Sequence, residues 1–182
     1  MPSNKENLIF EREPLLTGRT QIESNMKINT DDFDYGTDNT LALKNKTSYW
    51  SCTGVNFVEE QYRGGVSGVA YNNAAGIVIG YTDNSTLYCP VFLPHGAVIT
   101  GCIVSGDAGA AAGITWTLYR TNLSTGEASA LASASVDTED TSITNAEVDN
   151  ENYGYYIATG TDEMDTGDEI YGARISYTTD YD

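Results

Sequence analysis

Hydrophobic and polar positions alternate strictly along residues 113–120, GITWTLYR, where Ile114, Trp116 and Leu118 interleave with Thr115, Thr117 and Tyr119. Period-two alternation over β-branched and aromatic residues predicts a strand with one buried and one wet face. The turn residues of 121–126 follow, and 128–136 reads as the returning strand of a hairpin. The scheme recurs at residues 49–52, 55–58, 69–71, 75–81, 87–93, 97–104, 153–159 and 170–177. Pro90 cannot donate to a ladder and points to an edge or a bulge. In the last strand, Ile170, Gly172, Arg174 and Ser176 are expected on one face and Tyr171, Ala173, Ile175 and Tyr177 on the other. About eight to ten short strands with turn signals between them predict an all-β chain, a jelly-roll β-sandwich.

Residues 1–46 break this pattern. They are rich in Asn, Asp, Glu, Lys and Thr, and their apolar residues come singly or in small knots: Leu8, Ile9, Phe10, Leu15, Leu16, Ile22, Met26, Ile28 and Phe33. Such a segment cannot bury enough surface by itself to offset its ordering entropy. Spaced apolar anchors in a polar extended stretch predict an arm laid along another surface, with residues 47–182 as the β domain.

Charge narrows the function classes. Nine Lys and Arg against 26 Asp and Glu give a formal net charge of −17, which excludes the basic surface that nucleic acid requires. No apolar run is long enough to span a bilayer. The start, Met1 to Phe10, lacks the pattern of a secretory signal, so the chain reads as one made in the cytoplasm.

Chemistry-bearing groups are few. Asp31, Asp32, Asp34 and Asp38 are oxygen ligands of the type calcium takes, but no Glu closes the twelve-residue calcium loop and the run reads as a solvated linker. The pairs Asp137 with Asp140 and Asp165 with Asp168 raise glycoside hydrolysis, which needs two carboxyls facing across a sugar with one pKa raised. These acids sit in polar turns, so no catalytic residue is assigned and no enzyme is expected. The Gly-rich stretch 63–68 lacks the Lys and Ser/Thr of a phosphate loop, and His95 is a lone turn histidine. Cys52, Cys89 and Cys102 have no metal-like spacing and read as buried free thiols. Three Asn-x-Ser/Thr triplets, at Asn45, Asn84 and Asn122, are what chance gives in this composition. The 13 Tyr and 2 Trp are the notable excess, suited to strands, to protein interfaces and to stacking on sugar rings.

The stretches LPHGAVITG (93–101), WTLYRTNLSTGEA (116–128), VDNENYGYYI (148–157) and YGARISYT (171–178) together resemble small jelly-roll modules of phage and virus structural proteins. The resemblance covers residues 49–178 and is one of pattern, with no site residues to carry over. It implies a capsid decoration (cement) or head-fibre subunit, assembled in the host cytoplasm into the virion. Its expected partners are other virion proteins and copies of itself as a homotrimer, reached through the arm anchors. The alternative is a carbohydrate-binding or adhesive surface module that uses its tyrosines and acidic loops with calcium as the one cofactor in view. A filament subunit joined by strand exchange is a variant of the first idea.

Overall fold

Ile114, Trp116 and Leu118 are fully buried, and the alternation that singled them out becomes a strand in the interior of a five-stranded antiparallel sheet. The computed structural model describes residues 33–35, 41–43, 46–60, 68–81, 85–107, 113–160 and 164–179. Their strands are β1 (Phe33–Tyr35), β2 (Leu41–Leu43), β3 (Lys46–Thr53), β4 (Val58–Glu59), β5 (Val69–Asn72), β6 (Ile77–Gly80), β7 (Leu87–Val91), β8 (Val98–Asp107), β9 (Thr115–Asn122), β10 (Ala128–Ser135), β11 (Tyr153–Thr159) and β12 (Glu169–Thr179). The chain divides into two compact units, Met1–Ala42 and Leu43–Asp182. Strand β1 pairs with β2 in a two-stranded sheet. The arm anchors Leu8, Ile9, Phe10, Leu15, Leu16, Ile22, Met26 and Ile28 lie outside the described residues, and Phe33 opens β1.

The second unit is a sandwich. Sheet one runs β10-β9-β11-β7-β4; sheet two runs β3-β12-β6-β5, with β8 on the other edge of β12. Residues 137–148 extend sheet two beyond β8: Cys102 and Asp140 exchange both backbone hydrogen bonds at 3.0 Å, and Val148 N–H donates to the Ala97 carbonyl at 2.8 Å. From β6 onward the chain therefore visits sheets two, one, two, one, one, two, one and two, which is the wrapping of a jelly roll. Inner faces of both sheets supply one apolar cluster, in which Trp116, Leu118, Leu87 and Ile157 of sheet one meet Val78, Val104, Ile170 and Ile175 of sheet two. Each fully buried large side chain of this kind stabilises by roughly 1.5–3 kcal/mol relative to exposure.

Several local expectations are corrected. Val55 and Asn56 of the strand expected at 55–58 belong instead to the 3-10 turn Gly54–Asn56, and only Val58–Glu59 pairs. Strict alternation fails in β12, because a register shift against β8 between Ile170 and Gly172 leaves Tyr171 as an extra residue. Ile170 therefore faces the core together with Ala173 and Ile175. Cys52 is half-buried, unlike the buried Cys89 and Cys102. Pro90 fits for the reason foreseen: β4 reaches only as far as Tyr88, so at Pro90 β7 is bonded on one side, by β11.

Among the acidic turns, Asp140 carries a testable consequence. Its Oδ1 accepts from Ser142 Oγ at 2.6 Å and Ser142 N–H at 2.8 Å, and its Oδ2 accepts from Ser133 N–H at 3.0 Å. These bonds, the Ser142 hydroxyl first, hold the carboxyl below its ordinary range. A depressed folded pKa adds stability above the unfolded value of about 3.9 and loses it as pH falls through the folded value. Asp140→Asn is therefore expected to flatten the decline of thermal stability below about pH 4, read by melting curves across pH; an unchanged acid limb would remove this role.

Candidate functional site

The register of sheet one assembles an outward face that no stretch of sequence displays. Its central row is Ala130, Tyr119, Tyr156 and Pro90, on β10, β9, β11 and β7. Beside it run Ser133, Thr117, Ala158, Tyr88 and Val58, and on the other side Ala128, Thr121 and Gly154. No Lys, Arg, Asp or Glu stands among these residues, although the chain carries 35 such side chains, 9 basic and 26 acidic. Five strands at about 4.8 Å spacing make the face about 19 Å wide.

Three tyrosines form its relief. Tyr119 and Tyr156 are direct cross-strand neighbours and stack with ring centroids 5.2 Å apart and planes 18° apart. Tyr88 leans on Tyr156 at 6.1 Å and 51°. Offset and tilted pairs of this kind hold one another in place. Ala158 is buried although it points outward, its register neighbours being Tyr88 and Thr117. Tyr88 Oη donates to Glu60 Oε2 at 3.2 Å at the margin of the face. Burial, and then the Glu60 carboxylate, push this phenol above its ordinary pKa, so it remains a neutral hydrogen-bond donor. The arrangement offers apolar ring faces flanked by hydroxyls of Thr115, Thr117, Thr121, Ser133 and Ser135.

A concavity lies beside Arg120. The guanidinium sits 4.3 Å from the Tyr153 ring centroid, and this pair separates a hollow of about 400 Å³ containing His95, Glu147 and Asp149 from one of about 440 Å³ containing Asn122, Glu127 and Ser129. His95 is an exposed turn residue, and its Nδ1 accepts from Asn150 N–H at 3.1 Å. Asp149 accepts from Asn152 Nδ2 at 2.8 Å and from the backbone N–H groups of Glu151 and Asn152, and the Asn152 amide leads in holding its pKa down. Asp149 is thus spent on its own loop.

The carboxylate pairs singled out from the sequence do not face each other across a cleft. Asp137 accepts from Gly106 N–H at 3.3 Å, Asp140 from the serines described above, and Asp168 from Asp165 N–H at 2.8 Å. The depressed pKa of Asp140 suits a turn-stabilising anion and not a general acid. Of the acidic run weighed for calcium and read as a solvated linker, Asp34 lies inside β1, while Asp31, Asp32 and Asp38 lie outside the described residues. Among the described residues, no group of three or more His, Cys, Asp and Glu side chains is placed to hold a metal ion, and no helix is long and apolar enough to cross a membrane.

No family model matches the chain, and no curated protein matches it. Solved structures similar to it are distant. A xylan-binding module, CBM15, is 14% identical, with 75% of this chain and 100% of that one covered and a TM-score of 0.45. The C-terminal CBM6 of the laminarinase LamC from Zobellia galactanivorans is 15% identical over 71% of this chain and 99% of that one, with a TM-score of 0.37. A chain of the cyanophage Pam1 capsid is 17% identical over 89% and 98%, with a TM-score of 0.32.

Proposed function

We propose that the sandwich is a non-catalytic binding module and that the outer face of sheet one takes a neutral polysaccharide. The observation that carries this reading is the Tyr119–Tyr156 stack with Tyr88 beside it, on a face whose only carboxylate among the described residues named above is Glu60 at its margin, in a protein of net charge −17. A pyranose ring presents C–H groups on its faces and hydroxyls at its edge, which matches tyrosine rings bordered by Thr and Ser. The three tyrosines lie on adjacent strands of one sheet and support each other, so little side-chain freedom is lost on binding. Acidic polymers are disfavoured by the charge of the whole particle, and a basic partner would seek the acidic turns and not this face.

Affinity electrophoresis of the full chain through gels containing neutral polysaccharides of different backbones tests the proposal. Retardation by at least one of them is expected, and Tyr156→Ala should weaken that affinity by about tenfold or more, as the loss of a central aromatic anchor does. Tyr156 lies outside the core, so the variant should stay folded, with a melting temperature lowered by a few degrees through the lost contacts with Tyr119 and Tyr88. No retardation by any neutral polysaccharide, or retardation indifferent to Tyr156→Ala, sinks the reading.

A structural subunit of a virion is the second reading, and β3 is the observation in its favour. This eight-residue strand is bonded to β12 on one edge only among the described residues, and an open edge can accept a strand from another chain. Solution mass by light scattering on the same preparation separates the two: a trimer or larger assembly that ignores polysaccharide supports the structural subunit, and a monomer that binds it supports the module.

A further inference from the structure

Two thiols meet between the sheets. Cys52 lies on β3 in sheet two, opposite Ala173, and Cys89 lies on β7 in sheet one, opposite Ile157. They are 37 residues apart in sequence, and their sulfurs are 3.4 Å apart. The third thiol, Cys102, stands opposite Ile175 on β8, across β12 from β3. Access differs within the contacting pair: Cys89 is 1% exposed, whereas Cys52 is half-buried on an edge strand. This division resembles that between an attacking and a resolving thiol.

We propose that Cys52 and Cys89 are a redox pair that a small-molecule disulfide converts into a cross-link stapling edge strand β3 to sheet one. In the first step the Cys52 thiolate attacks one sulfur of the small disulfide. The S–S bond of the reagent breaks, a mixed disulfide forms on Cys52, and one small thiolate leaves and takes up a proton. In the second step Cys89 loses its proton and attacks Cys52 Sγ; the mixed bond breaks and the second small thiol departs. One external disulfide is reduced to two thiols while two protein thiols are oxidised to one disulfide, so electrons and protons balance. The order follows from electrostatics as well as access. The hydrogen bond from Cys89 holds the Cys52 thiol below its ordinary pKa, and the same bond, then burial, push Cys89 up. Cys102 is also pushed up, by burial first.

The staple matters because, among the described residues, β3 is held by a single neighbour, β12, and is the first strand that lies wholly in the second unit. Closing the loop from residue 52 to residue 89 ties this edge to the opposite sheet and removes conformations from the unfolded chain. For a domain of this size the expected rise in melting temperature is roughly 8–15 °C.

The test is incubation of the folded, reduced full chain with millimolar oxidised glutathione, followed by intact mass, peptide mapping and a melting curve. Expected are a loss of two hydrogens, one linked peptide pair joining Cys52 to Cys89, and the higher melting temperature. Cys89→Ser should trap glutathione on Cys52, and Cys52→Ser should leave Cys89 unmodified while folded. A cross-link that includes Cys102, a glutathione adduct that persists on Cys52 of the wild-type chain, or three unreacted thiols would overturn the proposal. The wild-type map decides the matter even where a variant folds poorly.

Discussion

Replacing Trp116 with alanine is expected to remove a large share of the stability of the sandwich. The indole is fully buried and is the largest side chain among the fully buried residues. It projects from β9, which lies between β10 and β11. Phe/Trp→Ala changes in cores cost about 3–5 kcal/mol, the transfer and cavity contributions together. A second cost arises because Trp116 Nε1 donates to the Ser135 carbonyl at 3.1 Å, a bond to the opposing end of β10 that alanine cannot make. An unmade hydrogen bond at a part-buried acceptor adds about 1 kcal/mol. Against a typical total of about 5–15 kcal/mol, a loss of about 4–6 kcal/mol takes from about a third of the stability to nearly all of it. Urea unfolding followed by circular dichroism should show the midpoint of Trp116→Ala collapse, and Trp116→Phe, which fills most of the volume but lacks the N–H, should fall between. A change below about 1 kcal/mol for the alanine variant would mean that the core does not close around the indole as described.

That strand was legible because its pattern is local. Ile114, Trp116 and Leu118 alternate without interruption, and a period of two admits one reading. Elsewhere the alternation is broken by backbone irregularities that leave no local mark. The extra residue at Tyr171 brings Ile170 and Ala173 to the same face, and the shift between Ala130 and Ala132 in β10 buries Leu131 and Ala132 together. Neither bulge is announced by a Gly or Pro at the irregular residue itself, although Gly172 follows the first. The tyrosine face was illegible for a different reason. Tyr88, Tyr119 and Tyr156 come from three separate strands, and only the antiparallel register of β7, β11 and β9 makes them neighbours. The excess of tyrosine was visible in composition; its concentration on one sheet face, with Glu60 at the margin, was not. The thiol pair is similar: spacing alone said nothing about which two cysteines meet, because the contact is made across the sandwich and not along a sheet. The carboxylates were legible as turn residues, since an Asp in a polar loop finds backbone N–H groups two or three residues away, as Asp140, Asp149 and Asp168 do.

Gly54→Ala should destabilise the domain by about 3 kcal/mol, the upper part of the usual range for overpacking, and the reason lies in how β12 serves two neighbours on one edge. At Glu169 and Ile170 that edge pairs with β6, and from Gly172 to Thr179 it pairs with β3. The chain must pass from β3 to β4 through the gap where the partner changes, and it does so in the 3-10 turn Gly54–Asn56, with Val55 N–H donating to the Gly76 carbonyl at 3.2 Å. Gly54 is buried there, and a Cβ on it would overlap the carbonyl oxygen of Ile170 and press on Ile77 Cα. Both obstacles are backbone, so no side chain can rotate away; either β12 or β6 has to move. The usual effect of Gly→Ala at an unstrained position is stabilisation of about 0.4–1 kcal/mol through the unfolded state, so the expected sign is reversed. Gly126 provides the contrast. Its φ of +73° is left-handed, and a Cβ there meets nothing within 4 Å, so Gly126→Ala should cost only the conformational strain of about 1–2 kcal/mol. Denaturant unfolding of the two variants compares a backbone collision with a backbone conformation. Gly54→Ala as stable as wild type would mean that β3, β6 and β12 do not converge at Ile170.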